Sequence, residues 1–318
     1  MTRDAPAEAP RPTPPRRLAP GRARRPAPPV LVSAHRCGAG TATHLENTRV
    51  ALDRALGLEV DFVEFDVQLL GDGTFVLHHD DVVEVGGALR PLAHLDLATY
   101  AGAVSEVLRY DEVLDALAGT GKQAHVDLKF RSPAAAYADP ASTAEVAAAR
   151  LAVERLGPHD LVVTTLDDDS VRAVRDWAEG EGLPLLVGLS LGRSTVGLPV
   201  AEKVRIRTSE VVARPRVRDS RANVVVAHQR LARAGVRSFA RRVDLPLLVW
   251  TVDDEEALRY WMRPGRAWLV TTNEPELALR VRAEVEERYH RAARARAERR
   301  RLRAERRAAR TAPGDRAT

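Results

Sequence analysis

Residues 60–81 read VDFVEFDVQLLGDGTFVLHHDD, and this stretch decides how the rest of the chain is understood. Two short strands are predicted, over residues 60–67 and 74–79, with Gly71-Asp72-Gly73 as the turn before the second. A strand repeats every two residues, so Glu64 and Asp66 point to one face. The second strand delivers His78 and His79 to its end, ahead of Asp80 and Asp81. Carboxylates are costly to bury unless they are paired or hold a metal. Two of them beside a histidine suggest a hard-cation site with an acid/base group next to it. A solvated Glu-x-Asp face and a packed core histidine would explain the same residues without chemistry, so the surrounding chain has to decide.

Outward from this stretch the pattern alternates strand and helix. Short apolar runs at 30–34, 123–128, 161–166, 185–189, 222–227, 246–251 and 267–271 add seven candidate strands to the first two. Most are separated by helical patterns, such as residues 49–57 with Asn47 or Thr48 as cap and Val50, Leu52, Ala55 and Leu56 facing inward. Residues 82–103 show little pattern and are expected as loop, 107–117 as a short helix capped by Asp111, and 191–215 as an insertion. Strands apolar on both faces with helical crossovers indicate a parallel sheet covered by helices. The fold class expected is α/β, a closed (β/α)₈ TIM barrel, which needs eight strands. Nine candidates are one too many, and only six residues separate the second from the third, so one is wrong or lies outside the barrel. An open doubly wound sheet loses ground because the first strand lacks a Gly-x-Gly-x-x-Gly turn.

In such a barrel the C-terminal strand ends share one mouth. His35 and Arg36 end the first strand, Glu64 and Asp66 the second, His79 the third, Asp127 and Lys129 the fourth, and Trp250 a late one. Three carboxylates suit Mg²⁺ or Ca²⁺. Cys37 is the single cysteine, and no His-x-x-x-His or Cys-x-x-Cys pair is present, which disfavours zinc. Arg36 and Lys129 offer positive charge to a phosphate, and the histidines offer acid/base groups. Together these parts describe a metal-dependent phosphodiester cleaver.

Charge is distributed unevenly. Residues 1–30 carry seven arginines against Asp4 and Glu8, and residues 281–318 carry thirteen against six acids. Subtracting these +5 and +7 ends from the chain's +5 leaves −7 on residues 31–280. The folded part is therefore acidic, which argues against a nucleic-acid partner. The expected organisation is a disordered Pro/Arg-rich arm over 1–29, a barrel over 30–289 and a basic helical or disordered tail over 290–318, with weak contact between the basic ends and anionic lipid. No apolar run reaches membrane-spanning length and the N-terminus has no Sec-type apolar region, so a cytoplasmic protein is expected, peripheral to the membrane at most.

The ordered series His35-Arg36-Cys37-Gly38, Glu46-Asn47-Thr48, Glu64-Phe65-Asp66-Val67, Asp72-Gly73, His79-Asp80, Asp127-Leu128-Lys129 and Trp250-Thr251-Val252-Asp253 resembles the glycerophosphodiester phosphodiesterases over roughly residues 31–275. These are barrels related to the phosphatidylinositol-specific phospholipases C. The resemblance implies His35 and His79 as the acid/base pair and Glu64, Asp66 and Asp127 as ligands of one divalent cation. It implies Arg36 and Lys129 at the substrate phosphate, and Glu46 and Trp250 in support. It also implies hydrolysis of a small glycerophosphodiester to glycerol phosphate and an alcohol. The rivals are a phospholipase D- or C-like enzyme on a lysophospholipid or sphingolipid, and a weakened barrel that only binds a phosphorylated ligand. Three departures matter. Cys37 interrupts His-Arg-Gly, Asp127 stands where the family has Glu, and the last strand ends Thr271-Thr272 where the family has Thr-Asp.

Overall fold

The computed structural model describes residues 28–192, 199 and 213–311. Its strands in chain order are β1 (Leu31–Ala34), β2 (Phe62–Leu69), β3 (Phe75–Leu77), β4 (Val82–Val85), β5 (Ala88–Pro91), β6 (Gln123–Leu128), β7 (Leu161–Thr165), β8 (Leu186–Leu191), β9 (Val224–His228), β10 (Leu247–Trp250) and β11 (Leu269–Thr272). Eight of them, β1, β2 and β6 to β11, run parallel, and β1 pairs with both β2 and β11, so the sheet closes into a barrel. Helices fill the crossovers, among them Arg49–Leu56, Ala144–Leu156, Asp168–Gly180 and Glu255–Trp261. The ninth candidate strand is real but lies outside: β3 pairs antiparallel with β2, Val67 opposite Leu77, as the return arm of a hairpin. The short gap that could not hold a crossover helix is that hairpin's turn.

Alternation along each strand sorts the residues. Val63, Phe65 and Val67 of β2 join the large core between sheet and helices. Phe62 instead belongs to a separate cluster with Val162, Val224, Val226, Leu248 and Leu269, which plugs the barrel where the strands begin. Two residues further along the same inward rows the lining turns polar: Ser33, Glu64, His125, Thr164 and Thr271, all buried. Asp66 and Asp127 follow after another two. The barrel is thus apolar at one end and polar at the other, where strands apolar on both faces were expected. The interior is tight. A Cβ on Gly188 of β8 would lie 2.5 Å from Val226 Cγ2.

Several local expectations need correction. Residues 82–103 are not plain loop: β4 and β5 form a second hairpin, followed by a helix at Leu97–Ala101. Leu70, Val76, Leu92, Leu95 and Tyr100 give this region a small core of its own. Glu64 and Asp66 do not end β2, which runs on to Leu69 because β3 extends its pairing. Thr48 caps the first helix, accepting from the Ala51 N–H, but Val50 is exposed because it falls on the solvent side of the turn. The helix Tyr110–Leu117 starts two residues earlier than an Asp111 cap requires, and its Glu112 carboxylate closes back on the Arg109 N–H at 2.9 Å. Most of the insertion expected at 191–215 lies outside the described residues, as does most of the 1–29 arm.

The chain finishes in the helix Pro275–Thr311. Its first turns pack on the barrel through Ala278 and Val281. Arg282 then pairs with Asp61 and donates to the Glu59 carbonyl, just ahead of where β2 begins. Residues 287–305 are exposed throughout.

Candidate active site

The site starts with a sharp turn. After β1 the chain folds through His35–Gly38, where Arg36, Cys37 and Gly38 have φ of 49, 62 and 79°. Left-handed backbone costs a non-glycine residue about 1–2 kcal/mol, so this turn stores strain at two positions. At Gly38 a side chain would also meet Ala55 Cβ at 3.1 Å. The turn drives the Cys37 thiol into the core and holds Arg36 over the mouth. The Arg36 N–H donates to Glu64 Oε2 at 2.6 Å, and its guanidinium lies 2.5 Å from Glu46 and 3.6 Å from Asp66. Cys37 therefore does not carry Arg36 away from the site. Arg36 Nε is buried, makes no hydrogen bond among the described residues and faces Asp66 Oδ2 at that 3.6 Å.

Glu64, Asp66 and Asp127 each bring a carboxylate oxygen within 4.8 Å of the others. The shorter Asp127 side chain does reach the group, since β2 and β6 pair with Asp66 directly beside Asp127. Each carboxylate is held from behind. Asn47 Nδ2 donates to Asp66 Oδ2 at 2.9 Å while the Asp66 N–H donates to Asn47 Oδ1 at 3.1 Å. Thr164 Oγ1 donates to Asp127 Oδ1 at 2.7 Å. Lys129 pairs closely with Asp127 and stands 3.0 Å from Asp66 Oδ1. That oxygen is buried and, despite the nearby ammonium, takes no hydrogen bond among the described residues.

The electrostatics follow from crowding. Burial, then the Asp66 and Asp127 charges, push Glu64 well above the usual carboxylate range. Burial pushes Asp66 the same way, but Lys129, His35, His79 and the Asn47 hydrogen bond outweigh it and bring Asp66 down to about 2. Burial disfavours the Lys129 ammonium, yet Asp127, Asp66 and Glu64 together raise its pKa. Burial lowers His35 and takes His125 down to about 4. Three carboxylates packed beside one ammonium and one guanidinium, with an Asp66 oxygen that takes no hydrogen bond among the described residues, fit a hard divalent cation in donor set and charge.

His35, Arg36, Glu64, His79, Asp127, Lys129 and Trp250 line one pocket at the polar end of the barrel. Asp66 belongs to the carboxylate group and Glu46 meets the pocket through Arg36, so all nine predicted residues come together. His79 is the most open, 39% exposed, and its Nδ1 lies 2.8 Å from Asp80. His78 packs edge-on against Tyr100.

Sequence reasoning missed five residues. Asn47 sits inside a quoted motif but was read only as a helix cap. His125 stands two residues before Asp127 in β6 and shares its face by alternation. It lies 3.1 Å from Thr164 Oγ1 and 3.4 Å from Ser33 Oγ, buried under the site. Thr164 has no signal apart from the inward row of β7. Asn273 Oδ1 lies 2.7 Å from His35 Nδ1, and Asp253 holds Asn273 through its N–H and its side-chain amide at 2.8 and 2.9 Å. The departure noted at Thr271-Thr272 thus stopped one residue short of the one that touches His35.

A parallel barrel with a carboxylate cluster, two imidazoles and two cations at its mouth defines a hydrolase that cleaves phosphate diesters with a metal. The sequence model of the Glycerophosphoryl diester phosphodiesterase family matches residues 35–277, and the chain belongs to that family. Among solved structures it is similar to a putative glycerophosphoryl diester phosphodiesterase from Silicibacter pomeroyi DSS-3, at 22% identity and a TM-score of 0.63 over 82% of this chain and 95% of that one. A glycerophosphodiester phosphodiesterase from Thermotoga maritima matches at 21% identity and a TM-score of 0.54, over 80% of this chain and 98% of that one. A phosphodiesterase from Oleispira antarctica, in complex with the product sn-glycerol-3-phosphate, matches at 19% identity and a TM-score of 0.55, over 80% of this chain and 96% of that one. At these identities the structures speak for the fold alone. No match was found among the curated proteins.

Proposed function

We propose that this phosphodiesterase hydrolyses small, water-soluble glycerophosphodiesters, with His35 and His79 as its acid/base pair and Glu64, Asp66 and Asp127 holding one Mg²⁺ or Ca²⁺. The observation that carries the reading is the carboxylate group within 4.8 Å at the same mouth as His35, Arg36 and Lys129. When bound, the cation would supply Lewis-acid withdrawal of charge from the phosphoryl oxygens. Arg36 brings its guanidinium charge to the pocket that receives the phosphate, and Lys129 adds a second positive charge. One imidazole takes the proton from the glycerol hydroxyl beside the phosphate as that oxygen bonds to phosphorus. The other gives a proton to the departing alkoxide as its P–O bond breaks. Water then opens the cyclic phosphate with the two proton roles exchanged. The Oleispira antarctica structure with sn-glycerol-3-phosphate supports a product of this size.

We place the barrel with the phospholipase C-like phosphodiesterases by its closed parallel sheet and carboxylate mouth, and the protein in the cytoplasm. No helix among the described residues is long and apolar enough to cross a membrane. The test is His79→Ala. The His79 side chain is 39% exposed and, among the described residues, bonded only to its neighbour Asp80, so the fold should hold within about 0.5 kcal/mol. Turnover of a glycerophosphodiester should fall by roughly 10²- to 10⁴-fold. Near-wild-type turnover removes His79 from the chemistry, and faster turnover of a lysophospholipid than of glycerophosphodiesters by the wild type rejects the substrate class.

A further inference from the structure

Three neighbouring strand ends meet behind His35. It follows β1, Asn273 follows β11, and Asp253 stands three residues past the end of β10. β11 pairs with both β1 and β10, so the three side chains come from adjacent staves of the barrel. We propose that Asp253 is a positioning residue for His35. Acting through Asn273, it holds the imidazole in one tautomer, with Nδ1 protonated and Nε2 bare toward the pocket. The proposal rests on the reading of His35 as one of the two reacting imidazoles.

The argument is one of donors and acceptors. The Asn273 backbone N–H donates to Asp253 Oδ1 at 2.8 Å and the Thr272 hydroxyl donates to the same oxygen at 3.2 Å. Those two bonds fix the carboxylate beside Asn273 whichever way the Asn273 amide is turned. Asp253 Oδ2 lies 2.9 Å from the outer end of that amide. An ionised carboxylate only accepts, so the amide must present NH₂ to it, since an oxygen there would face another oxygen with no proton between them. The amide oxygen is thereby turned to His35, 2.7 Å from Nδ1. An amide oxygen also only accepts, so Nδ1 must carry the proton. In the neutral ring Nε2 then carries the lone pair, 3.7 Å from Glu64 Oε2 and inside the pocket. A ring in this state is ready to take a proton and is not free to give one. Asp253 is not part of the pocket lining and makes no hydrogen bond to His35 among the described residues, so it reaches the imidazole by way of Asn273.

The experiment is the isosteric change Asp253→Asn, read by ¹⁵N NMR of the His35 ring and by steady-state kinetics with saturating Mg²⁺. In the wild type the His35 nitrogens should show a protonated Nδ1 and a bare Nε2. In Asp253→Asn the new amide can donate as well as accept, Asn273 is free to turn, and a mixture of tautomers is expected. kcat should fall by about tenfold or more with KM nearly unchanged. The exchange variant Asp253→Asn with Asn273→Asp puts an acceptor-only group back on Nδ1, and should recover the single tautomer and most of kcat. Thermal melts of each variant separate this from loss of fold. The proposal is overturned if Asp253→Asn keeps the wild-type tautomer, if its kcat loss only tracks the unfolded fraction, or if the exchange variant recovers neither reading. The NMR reading needs no substrate, so it stands or falls apart from the substrate class.

Discussion

Thr164 gives its only hydroxyl proton to Asp127, over 2.7 Å, and takes a hydrogen bond from His125 Nε2 over 3.1 Å. The direction of the second bond follows from the first, because a hydroxyl has one proton to give. His125, neutral with its pKa near 4, therefore keeps its proton on Nε2 and orients a carboxylate two residues along its own strand by way of β7. Thr164→Val keeps the shape and removes both bonds. It should weaken Mg²⁺ binding by roughly ten- to a hundredfold and destabilise the fold by about 1–3 kcal/mol through the orphaned imidazole N–H. Calorimetric titration with Mg²⁺ and a urea melt measure the two effects separately.

Crowded carboxylates repel one another until a cation joins them, so metal should stabilise the chain as well as activate it. At a hundred times the dissociation constant the gain is about 2.7 kcal/mol, seen as a rise in melting temperature with added Mg²⁺ or Ca²⁺. Asp127→Ala should erase most of that rise, and EDTA should silence turnover. Full activity in EDTA-treated protein would rule out the cation.

A buried carboxylate outside the metal group, Glu145, should contribute to acid stability. Glu145 is fully buried, accepts from the Ser132 N–H at 3.0 Å, Tyr137 OH at 2.5 Å and Ser170 Oγ at 2.7 Å, and also pairs with Ser132 Oγ. Burial opposes its charge, but these donors outweigh burial and hold its pKa below the usual glutamate value. Its folded pKa is thus lower than its unfolded one, so its contribution is full above the unfolded value of about 4.3 and is lost as pH falls through the folded one. Glu145→Gln should cost about 1–3 kcal/mol at neutral pH. It should also flatten the acid limb of a stability–pH curve, which urea melts between pH 3 and pH 7 would record.

Gly188 tests how tightly the barrel is filled. A methyl group there would sit 2.5 Å from Val226 Cγ2 and 3.3 Å from Thr164 Cγ2. Gly188→Ala should cost about 1–3 kcal/mol. Because Thr164 is one of the displaced neighbours, metal affinity should drop with it, whereas an alanine at the open Gly180, with nothing within 4 Å, should do neither.

Strand period was legible because it is local, whereas the end of β2 was not, since β3 extends its pairing to Leu69. Glu64 and Asp66 share a face by alternation, and Asp127 lands beside Asp66 once β2 and β6 pair in register. What the sequence hid was mostly relational. Asn47, Thr164, Asp253 and Asn273 are ordinary turn and strand residues whose meaning comes from what stands across the barrel. The hairpin of β4 and β5 was hidden for a different reason. Its second strand is exposed at every position, so it shows no alternation of apolar and polar residues to detect. Val50 misled for the opposite reason, being an apolar residue that fits a helical pattern yet faces water.

The final helix leaves the mouth end at Pro275, meets Asp61 near the far rim through Arg282, and carries its arginine-rich length onward from there. A charged bilayer or a neighbouring macromolecule that bound that rod would do so from the blind end of the barrel. The open end would then look out into bulk water, and an enzyme moored that way would fish its substrate from solution and not from the surface that holds it.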